Sequence, residues 1–167
     1  MRTLYLVRHA KSSWAEPGMA DIHRPLNERG RRNAPFMAAR FAARNEPIDL
    51  IVSSPAVRAR TTADFFATAL HLSAERFRSE QGIYDASCSR LLAVVNALPN
   101  NATRVMLFGH DPGFSELAQY LDRRWTDVMP TCCIVRIDLD LDDWALVSRD
   151  TGNVVWTDRP GDHPGQH

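Results

Sequence analysis

The segment that most constrains the fold is the run from Leu4 to Lys11 near the N-terminus. Its first four residues are apolar, with the β-branched and aromatic content of a buried strand. The run ends abruptly, so Arg8, His9 and Lys11 are predicted at or just past the C-terminal end of that strand. In open α/β sheets, ligands bind at this end of the strands. A cation beside an imidazole suits phosphate, but on this run alone an ordinary solvated loop is an equal alternative.

Composition and charge favour one globular domain. The chain has 167 residues, of which 44% are hydrophobic and 24% are charged, enough for one sizeable core and marginal for two. Twenty basic residues balance twenty acidic ones, so the charge excess that drives nucleic-acid or membrane binding is absent. No apolar stretch approaches the roughly 20 residues of a membrane helix, and no signal peptide is visible. We therefore expect no nucleic-acid partner and no membrane association.

The three cysteines indicate a reducing compartment. Cys88 stands alone and Cys132 is adjacent to Cys133, a pattern that makes neither a disulfide framework nor a zinc knuckle. Because free cysteine commonly packs as a small hydrophobe, we predict three buried thiols and a cytoplasmic location. No His, Cys, Asp and Glu cluster has metal-ligand spacing, so we expect no metal and no other cofactor.

Apolar runs of strand length alternate with amphipathic segments of helical period. Strands are predicted at residues 4–7, 48–52 and 104–108, with a short extended piece around Phe77. Helices are predicted to follow Asn27 as N-cap, to carry Arg58 in a first turn, and to cover residues 87–98 and 114–121. This alternation predicts an α/β fold, a three-layer sandwich with a mainly parallel central sheet flanked by helices.

The last third of the chain changes character. Residues 132–139 and 144–149 are predicted as two strands joined by an acidic turn, which form a hairpin at the sheet edge. Residues 158–167 are terminal and rich in Pro, Gly and His, so we predict a disordered tail. With neither a repeat nor a linker, residues 1–157 are expected to form a single domain.

Basic side chains follow three of the predicted strands. Arg8 and His9 follow the first, Arg58 follows the Ser-Ser-Pro that ends the second, and His110 follows the strand that ends at Gly109. Parallel strands end at one edge of a sheet, so these four side chains are predicted to converge. Two guanidiniums bind phosphate oxygens in a bidentate manner, and two histidines supply a nucleophile and a donor. The sequence thus predicts a phosphate site.

These segments resemble the histidine phosphatase superfamily. The short length and two further segments narrow the resemblance to SixA-type phosphohistidine phosphatases. Together the segments span residues 4–113, about two thirds of the chain. The superfamily pattern is carried by Leu6–Ala10, Ser53–Ala63 and Gly109–Gly113, and the SixA-type pattern by Asp21–Asn27 and Glu28–Arg32.

The resemblance implies a role for each residue of the predicted site. His9 receives the phosphoryl group, Arg8 and Arg58 hold its oxygens, and His110 donates to it from the other side. The superfamily usually has glycine after the nucleophile, whereas this chain has Ala10, a small residue that SixA-type members tolerate. Attack requires a neutral His9, so we expect an acceptor that fixes its tautomer and neighbouring arginines that depress its pKa. Four such groups stabilise phosphoryl transfer without a metal.

The leaving-group acid and the outer binding residues are predicted from the same resemblance. Larger relatives use a carboxylate between the second and third motifs, where this chain offers Glu80 or Asp85, and we choose Glu80. A phosphoramidate has a leaving nitrogen that is readily protonated, so a strong acid is not required. Asp21 and Arg24 are predicted to border the pocket, with an Asp–Arg pair that pins the loop as an equal alternative. Lys11 is predicted to bind substrate.

Short gaps between the motifs leave little chain for a lid over the site. An open site favours a phosphate presented on a protein, so we predict a metal-independent phosphatase with a phosphohistidine intermediate and a phosphohistidine protein as substrate. The partner is thus a phosphoprotein or a small phosphorylated molecule. One alternative is a small-molecule phosphomonoesterase of the same superfamily. Another is a non-catalytic phosphopeptide-binding module, against which the presence of both His9 and His110 argues.

Overall fold

Strands and α-helices alternate along the chain, as the hydrophobic patterns predict. The structure is a computed structural model that describes residues 1–166. Within that range the elements in chain order are β1 (Arg2–Arg8), α1 (Glu28–Ala43), β2 (Leu50–Ser53), α2 (Val57–Ala69), β3 (Phe77–Ser79), α3 (Cys88–Asn96), β4 (Arg104–Gly109), α4 (Gly113–Leu121), β5 (Ile134–Leu139) and β6 (Gly152–Asp158).

The six strands form one sheet in the order β3-β2-β4-β1-β5-β6. The first four strands are mutually parallel, β5 is antiparallel to β1, and β6 is antiparallel to β5. The predicted mainly parallel sheet with an antiparallel pair at its edge is therefore confirmed.

Helices cover both faces of the sheet and bury two separate apolar layers. On one face α1 and α2 pack through Met37, Phe41 and Phe66 onto strand residues that include Tyr5. On the other face α3 and α4 pack through side chains such as Leu91 against the opposite side of the same strands. The alternation of strand side chains thus builds the predicted three-layer sandwich. None of the helices within residues 1–166 has the length and apolar character needed to cross a bilayer.

Two neighbouring strands send their chains to opposite faces of the sheet. β1 and β4 pair in parallel with Arg8 opposite Gly109. The chain leaves β1 for α1 on one face and leaves β4 for α4 on the other. Such a switch point opens a crevice at the carboxyl ends of the strands. His9 and His110, each one residue past its strand, therefore lie on the two sides of this crevice.

The antiparallel pair at the C-terminus differs from the predicted hairpin. Its second strand is β6, so the prediction of a strand at residues 144–149 is wrong. Trp144–Leu146 is a 3₁₀ turn. Trp144 is fully buried in it, with its Nε1 donating to the Ala102 carbonyl at 2.8 Å. The apolar pair Trp144 and Val147 is spaced three residues apart, which suits a turn and not an alternating strand.

Residues 158–166 pack against α1, contrary to the predicted disordered tail. The Asp158 carboxylate accepts from Arg40 Nε at 3.0 Å and contacts His163 Nε2 at 2.7 Å. The Asn33 amide donates to Gln166 Oε1 at 2.8 Å. Polar side chains that composition alone assigns to solvent thus have specific partners on the helix. The last residue of the predicted tail, His167, lies outside the described residues.

The start of α1 lies directly against the backbone that follows β1. Asn27 caps the helix by accepting from the Gly30 amide at 2.9 Å, as predicted, and its own amide donates to the Lys11 carbonyl at 2.9 Å. A Cβ added to Gly30 would overlap that same carbonyl oxygen. Only glycine allows this close approach of helix to loop.

We expect Gly30→Ala to lower the free energy of unfolding by about 2 kcal/mol, because the added methyl forces the backbone apart. Helix propensity alone predicts the opposite, a gain of up to about 1 kcal/mol. Urea denaturation measures the change. The matched control is Gly161→Ala, whose Cβ meets nothing within 4 Å and which should change stability by less than about 0.5 kcal/mol. A Gly30→Ala protein as stable as the wild type would contradict the close contact.

Candidate active site

Two imidazoles meet in the crevice between β1 and β4. The ring centroids of His9 and His110 lie 5.3 Å apart with an interplanar angle of 54°. His9 is 7% exposed and His110 is half-buried. The predicted convergence of side chains from separate strand ends is therefore confirmed for this pair, because parallel pairing brings the two strand ends into register.

The tautomer of His9 is fixed by its own neighbour. Its Nδ1 lies 2.7 Å from the Ala10 carbonyl oxygen. A carbonyl oxygen can only accept, so Nδ1 carries the proton and Nε2 of the neutral ring keeps its lone pair. The Ala10 amide in turn donates to Thr62 Oγ1 at 3.0 Å, and Thr62 donates to the Arg58 carbonyl at 2.7 Å. This chain ties the loop after β1 to α2.

Both imidazoles are held neutral by their surroundings. Burial lowers the pKa of His9 to about 3, with further lowering by the charges of His110, Arg58 and Arg8 against an opposing contribution from the Ala10 hydrogen bond. Burial and then Arg58 lower the pKa of His110 to about 4. The loss of hydration on burial is thus a larger cause of the depressed pKa values than the arginines, which the sequence pattern predicts as the cause.

The guanidiniums of Arg8 and Arg58 are each held by hydrogen bonds from their terminal nitrogens. Arg8 Nη1 donates to the Met129 carbonyl at 2.9 Å. Arg58 Nη1 donates to the Asp21 carbonyl at 2.8 Å and its Nη2 to Asp21 Oδ2 at 2.9 Å. In both guanidiniums the buried Nε has no hydrogen-bond partner. Each side chain is thus fixed from one side and retains an unused donor on another.

Three buried nitrogens of this site lack a partner in the protein, namely Arg8 Nε, Arg58 Nε and His110 Nδ1. Two further buried Nε atoms without a partner, those of Arg2 and Arg104, belong to the first residues of β1 and β4, at the opposite end of the strands. Buried polar groups are normally hydrogen-bonded. Two unsatisfied guanidinium donors and a buried imidazole nitrogen near the free Nε2 of His9 have the chemistry of an oxyanion site.

Asp21 is the centre of a network above these donors. Its carboxylate accepts from Arg24 Nε at 3.1 Å and from the Tyr84 hydroxyl at 2.6 Å, in addition to Arg58. The Tyr84 hydrogen bond, and then Arg58, hold the pKa of Asp21 well below its usual range, and the carboxylate raises the pKa of Tyr84. Asp21 is therefore a permanent anion between two guanidiniums.

A cavity of about 490 Å³ opens above the two histidines, a volume in the range of small-molecule sites. Arg8 and His9 are not among its lining residues, and His9 adjoins it through His110, whose ring centroid is 5.3 Å away. Within residues 1–166 no group of three or more His, Cys, Asp or Glu side chains is arranged to hold a metal ion. The cavity is lined by Trp14, Asp21, Arg24, Arg58, Tyr84, Asp85, Ala86, His110, Asp111, Pro112 and Gly113.

The structure places Asp21 and Arg24 at the cavity but neither Lys11 nor Glu80. Lys11 is exposed, and what it contributes is the carbonyl against α1. The Glu80 carboxylate accepts from the Gly82 amide at 3.0 Å. Glu80 follows β3, the outermost strand, three strand spacings or about 14 Å from β1. The geometry therefore supports neither the prediction that Lys11 binds substrate nor the choice of Glu80 over Asp85, which lines the cavity.

Sequence reasoning missed several residues around the histidines. Ser54 Oγ lies 2.8 Å from His110 Nε2 and accepts from the Ala56 amide at 3.2 Å. Tyr84 packs edge-on against His110 with ring centroids 5.6 Å apart. The sequence could have indicated Ser54, because this residue, like His9 and His110, is the first residue after a strand. Tyr84 lies in a loop without a hydrophobic period, so no sequence pattern indicates that it lies at the strand ends.

Cys132 supports the backbone of the same segment. Its amide donates to the carbonyls of both Arg8 and His9 at 3.1 Å, from a left-handed conformation with φ of 60°. Burial raises the pKa of the Cys132 thiol and raises that of Cys133 to about 12. All three thiols are free as predicted, but Cys88 is only half-buried.

Comparison with known proteins shows the family of the chain. Residues 4–79 match the family model of the histidine phosphatase superfamily, branch 1. An uncharacterised protein of Mycobacterium tuberculosis strain H37Rv is 33% identical over 112 residues, 67% of each chain. A protein of Agrobacterium tumefaciens described as a phosphohistidine phosphatase SixA superimposes with a TM-score of 0.80 and 27% identity, covering 95% of this chain and 98% of the other. The chain belongs to the histidine phosphatase superfamily.

Within the superfamily the architecture is SixA-type. The protein histidine phosphatase SixA, solved in complex with tungstate, has the same fold with a TM-score of 0.81 at 21% identity, covering 96% of this chain and 98% of the other. The family match ends at residue 79, before His110, so the position of the second imidazole rests on the sequence pattern and on the 5.3 Å between the two rings. Superfamily membership and this fold support a phosphatase that acts on phosphorylated substrates.

We expect stability to fall as pH drops below about 6.5. In the unfolded chain His9 titrates near 6.5, whereas in the folded protein its pKa is about 3. Between those values the unfolded state binds more protons, so protonation favours unfolding. From pH 7 to pH 5 the loss attributable to His9 is about 2 kcal/mol. Urea denaturation at both pH values, in buffers without phosphate, measures it.

The matched variant is His9→Asn, whose amide nitrogen can replace Nδ1 as donor to Ala10. It removes the titrating group, so its stability should fall less than that of the wild type over the same pH range. An equal fall in both proteins would show that His9 does not carry the depressed pKa.

Proposed function

We propose that the protein is a metal-independent phosphohistidine phosphatase whose own His9 receives the phosphoryl group. One observation carries the proposal: a neutral imidazole with a free Nε2 lies beside three buried nitrogens that have no partner in the protein, two of them guanidinium donors. A nucleophile that must approach an anion needs this arrangement, because the donors offset the charge on the phosphoryl oxygens.

In the first step His9 Nε2 attacks phosphorus. An N–P bond forms while the bond between phosphorus and the leaving atom breaks, and that atom departs with the electron pair. Arg8 and Arg58 bind the phosphoryl oxygens through their unused donors. The depressed pKa of His110 leaves its ring uncharged near neutrality, and Nδ1 is a donor in the tautomer whose Nε2 accepts from the Ser54 hydroxyl. The nucleophile is already deprotonated at Nε2, so no base is required for attack.

In the second step a water attacks phosphorus and the N–P bond breaks. Inorganic phosphate leaves, and His9 Nε2 recovers its lone pair. The same donors stabilise the charge in both steps, because the oxygens stay in place while the attacking and leaving groups exchange. The carboxylate at the cavity between the second and third motifs is Asp85, not Glu80. A phosphohistidine leaving nitrogen takes its proton readily, so catalysis does not depend on either carboxylate.

The substrate we propose is a phosphohistidine on a protein surface. The SixA likeness supports this substrate class, and the rim of the cavity is open, with Trp14 75% exposed. Cysteine usage supports a cytoplasmic location. Tungstate, the anion held by the solved SixA relative, provides a probe. We expect it to inhibit competitively, because a tetrahedral oxyanion satisfies the same donors as a phosphoryl group.

A substrate panel tests the proposal. Phosphohistidine, phosphoserine and phosphotyrosine peptides of one flanking sequence are compared with small sugar phosphates, using wild type and His9→Ala. We expect phosphohistidine to give the highest kcat/KM and His9→Ala to abolish turnover. A preference for sugar phosphates would favour a small-molecule phosphomonoesterase. Peptide binding without turnover by the wild type would indicate a phosphopeptide-binding module.

We expect rapid quenching during turnover to trap a phosphoryl group on His9. A phosphoramidate is labile in acid and stable in base, so the label should survive alkali and be absent from His9→Ala. Excess EDTA should leave the labelling unchanged, because no step uses a metal. Peptide mapping by mass spectrometry locates the label. A label on serine or cysteine, or its loss with EDTA, would contradict the mechanism.

We expect Arg58→Ala to reduce kcat/KM by about 10²-fold or more, the loss of one preorganised donor to the transition state. Arg58→Lys keeps the charge but not the planar fork, so its activity should be intermediate. The matched control is Arg60→Ala, two residues further along α2 on the opposite side of the helix and exposed, with an unchanged rate expected. Steady-state kinetics with an aryl phosphate measure all three. A fully active Arg58→Ala would exclude the proposed role of Arg58.

A further inference from the structure

Trp14 is an exposed aromatic side chain at the mouth of the cavity. It is 75% exposed, the largest fraction among the big apolar side chains of residues 1–166. One face of its indole is covered by the Arg24 guanidinium, 3.5 Å from the ring centroid, and Trp14 lines the cavity. A hydrophobic ring kept in water at the entrance of a site is a candidate contact for substrate.

The support under Trp14 is rigid. Arg24 is buried and donates from Nε to Asp21 Oδ1 at 3.1 Å, and from Nη1 to Ser12 Oγ at 2.9 Å and to the Ser13 carbonyl at 3.2 Å. The indole therefore stacks on a guanidinium that these hydrogen bonds hold in one position. An aromatic surface ordered before binding loses little conformational entropy when a ligand stacks on it.

A second aromatic ring at the cavity is attached to the same carboxylate. The Tyr84 hydroxyl donates to Asp21 Oδ2, and its ring packs edge-on against His110. Asp21 therefore links Trp14, through Arg24, and Tyr84 to Arg58 in the phosphate site. The aromatic rim and the donors beneath it are positioned as one unit.

Three aspartates and two arginines line the cavity. Asp21 is paired with two arginines, and Asp111 accepts from the Ser115 amide and hydroxyl. Asp85 is exposed and has no hydrogen-bond or ion-pair partner within residues 1–166. Asp85 therefore contributes an unpaired carboxylate to the lining of the cavity.

We propose that Trp14, Tyr84 and Asp85 select the leaving group, favouring a flat ring that carries no negative charge when it departs. The inference rests on the proposed function and identifies the residues of this chain that favour phosphohistidine. An imidazole stacks on the rim and leaves as a neutral or cationic ring beside Asp85. A phenol stacks equally well but leaves as an anion, which the carboxylate opposes. An aliphatic serine side chain gains nothing from the aromatic rings.

The first test replaces Trp14. Trp14→Ala should reduce kcat/KM about 2- to 10-fold for phosphohistidine and phosphotyrosine peptides, the contribution of one aromatic stack, and leave phosphoserine within twofold. Trp14→Phe should restore most of the loss. The matched control is Leu146→Ala, which truncates an exposed apolar side chain away from the cavity and should change none of the rates. An equal loss on all three peptides would overturn the selectivity.

The second test replaces Asp85. Asp85→Asn keeps the shape and removes the charge, so it should narrow the preference for phosphohistidine over phosphotyrosine about 2- to 5-fold, the range of a partly screened ion pair. A carboxylate that served as proton donor would give the opposite result, since phenolate needs a proton more than imidazole does. A wider preference in Asp85→Asn would therefore overturn the electrostatic role.

These outcomes separate the inference from the function on which it rests. A wild-type enzyme that hydrolyses phosphotyrosine and phosphoserine but not phosphohistidine would refute the phosphohistidine substrate. In that case the preference for an aromatic leaving group is still tested, because it predicts that Trp14→Ala lowers the phosphotyrosine rate relative to the phosphoserine rate. A wild type that prefers phosphohistidine, with the same preference in Trp14→Ala and Asp85→Asn, would refute the inference alone.

Discussion

The parallel pairing of β1 with β4 is the constraint on which the site depends. It sets Arg8 opposite Gly109, so that the next residue of each strand is a histidine. The two chains then leave for opposite faces of the sheet, which keeps helices and loops out of the space between the rings. A shift of this pairing by one residue would reverse the side-chain directions and separate the imidazoles.

Burial and charge act in the same direction at this point of the molecule. Desolvation keeps His9 and His110 neutral, and the nearby guanidiniums reinforce it. The same burial leaves Arg8 and Arg58 with unused donors. In a medium of low dielectric these charges act strongly on an anion. A neutral His9 and an anion-binding pair of arginines are therefore two consequences of one buried crevice.

The sequence revealed those parts of the site that stand next to regular elements. Arg8, His9 and His110 follow apolar runs, and their convergence follows from the parallel order of strands. Glu80 was chosen from the resemblance to larger relatives, and the sequence does not show that it follows the outermost strand, β3.

The positions of segments without a hydrophobic period could not be predicted from the sequence. Tyr84 and Asp85 reach the cavity because their loop crosses back over the strand ends, where a Cβ on Gly113 would overlap the Ala86 carbonyl. The C-terminal segment is ordered by particular ion pairs such as that between Arg40 and Asp158, which composition does not encode. The sequence predicts Asp21 at the pocket but not how it contacts Arg58. Asp21 contacts only the terminal nitrogens of Arg58 and leaves Nε without a partner. A carboxylate in a phosphate site thus orients the guanidinium without blocking its Nε edge.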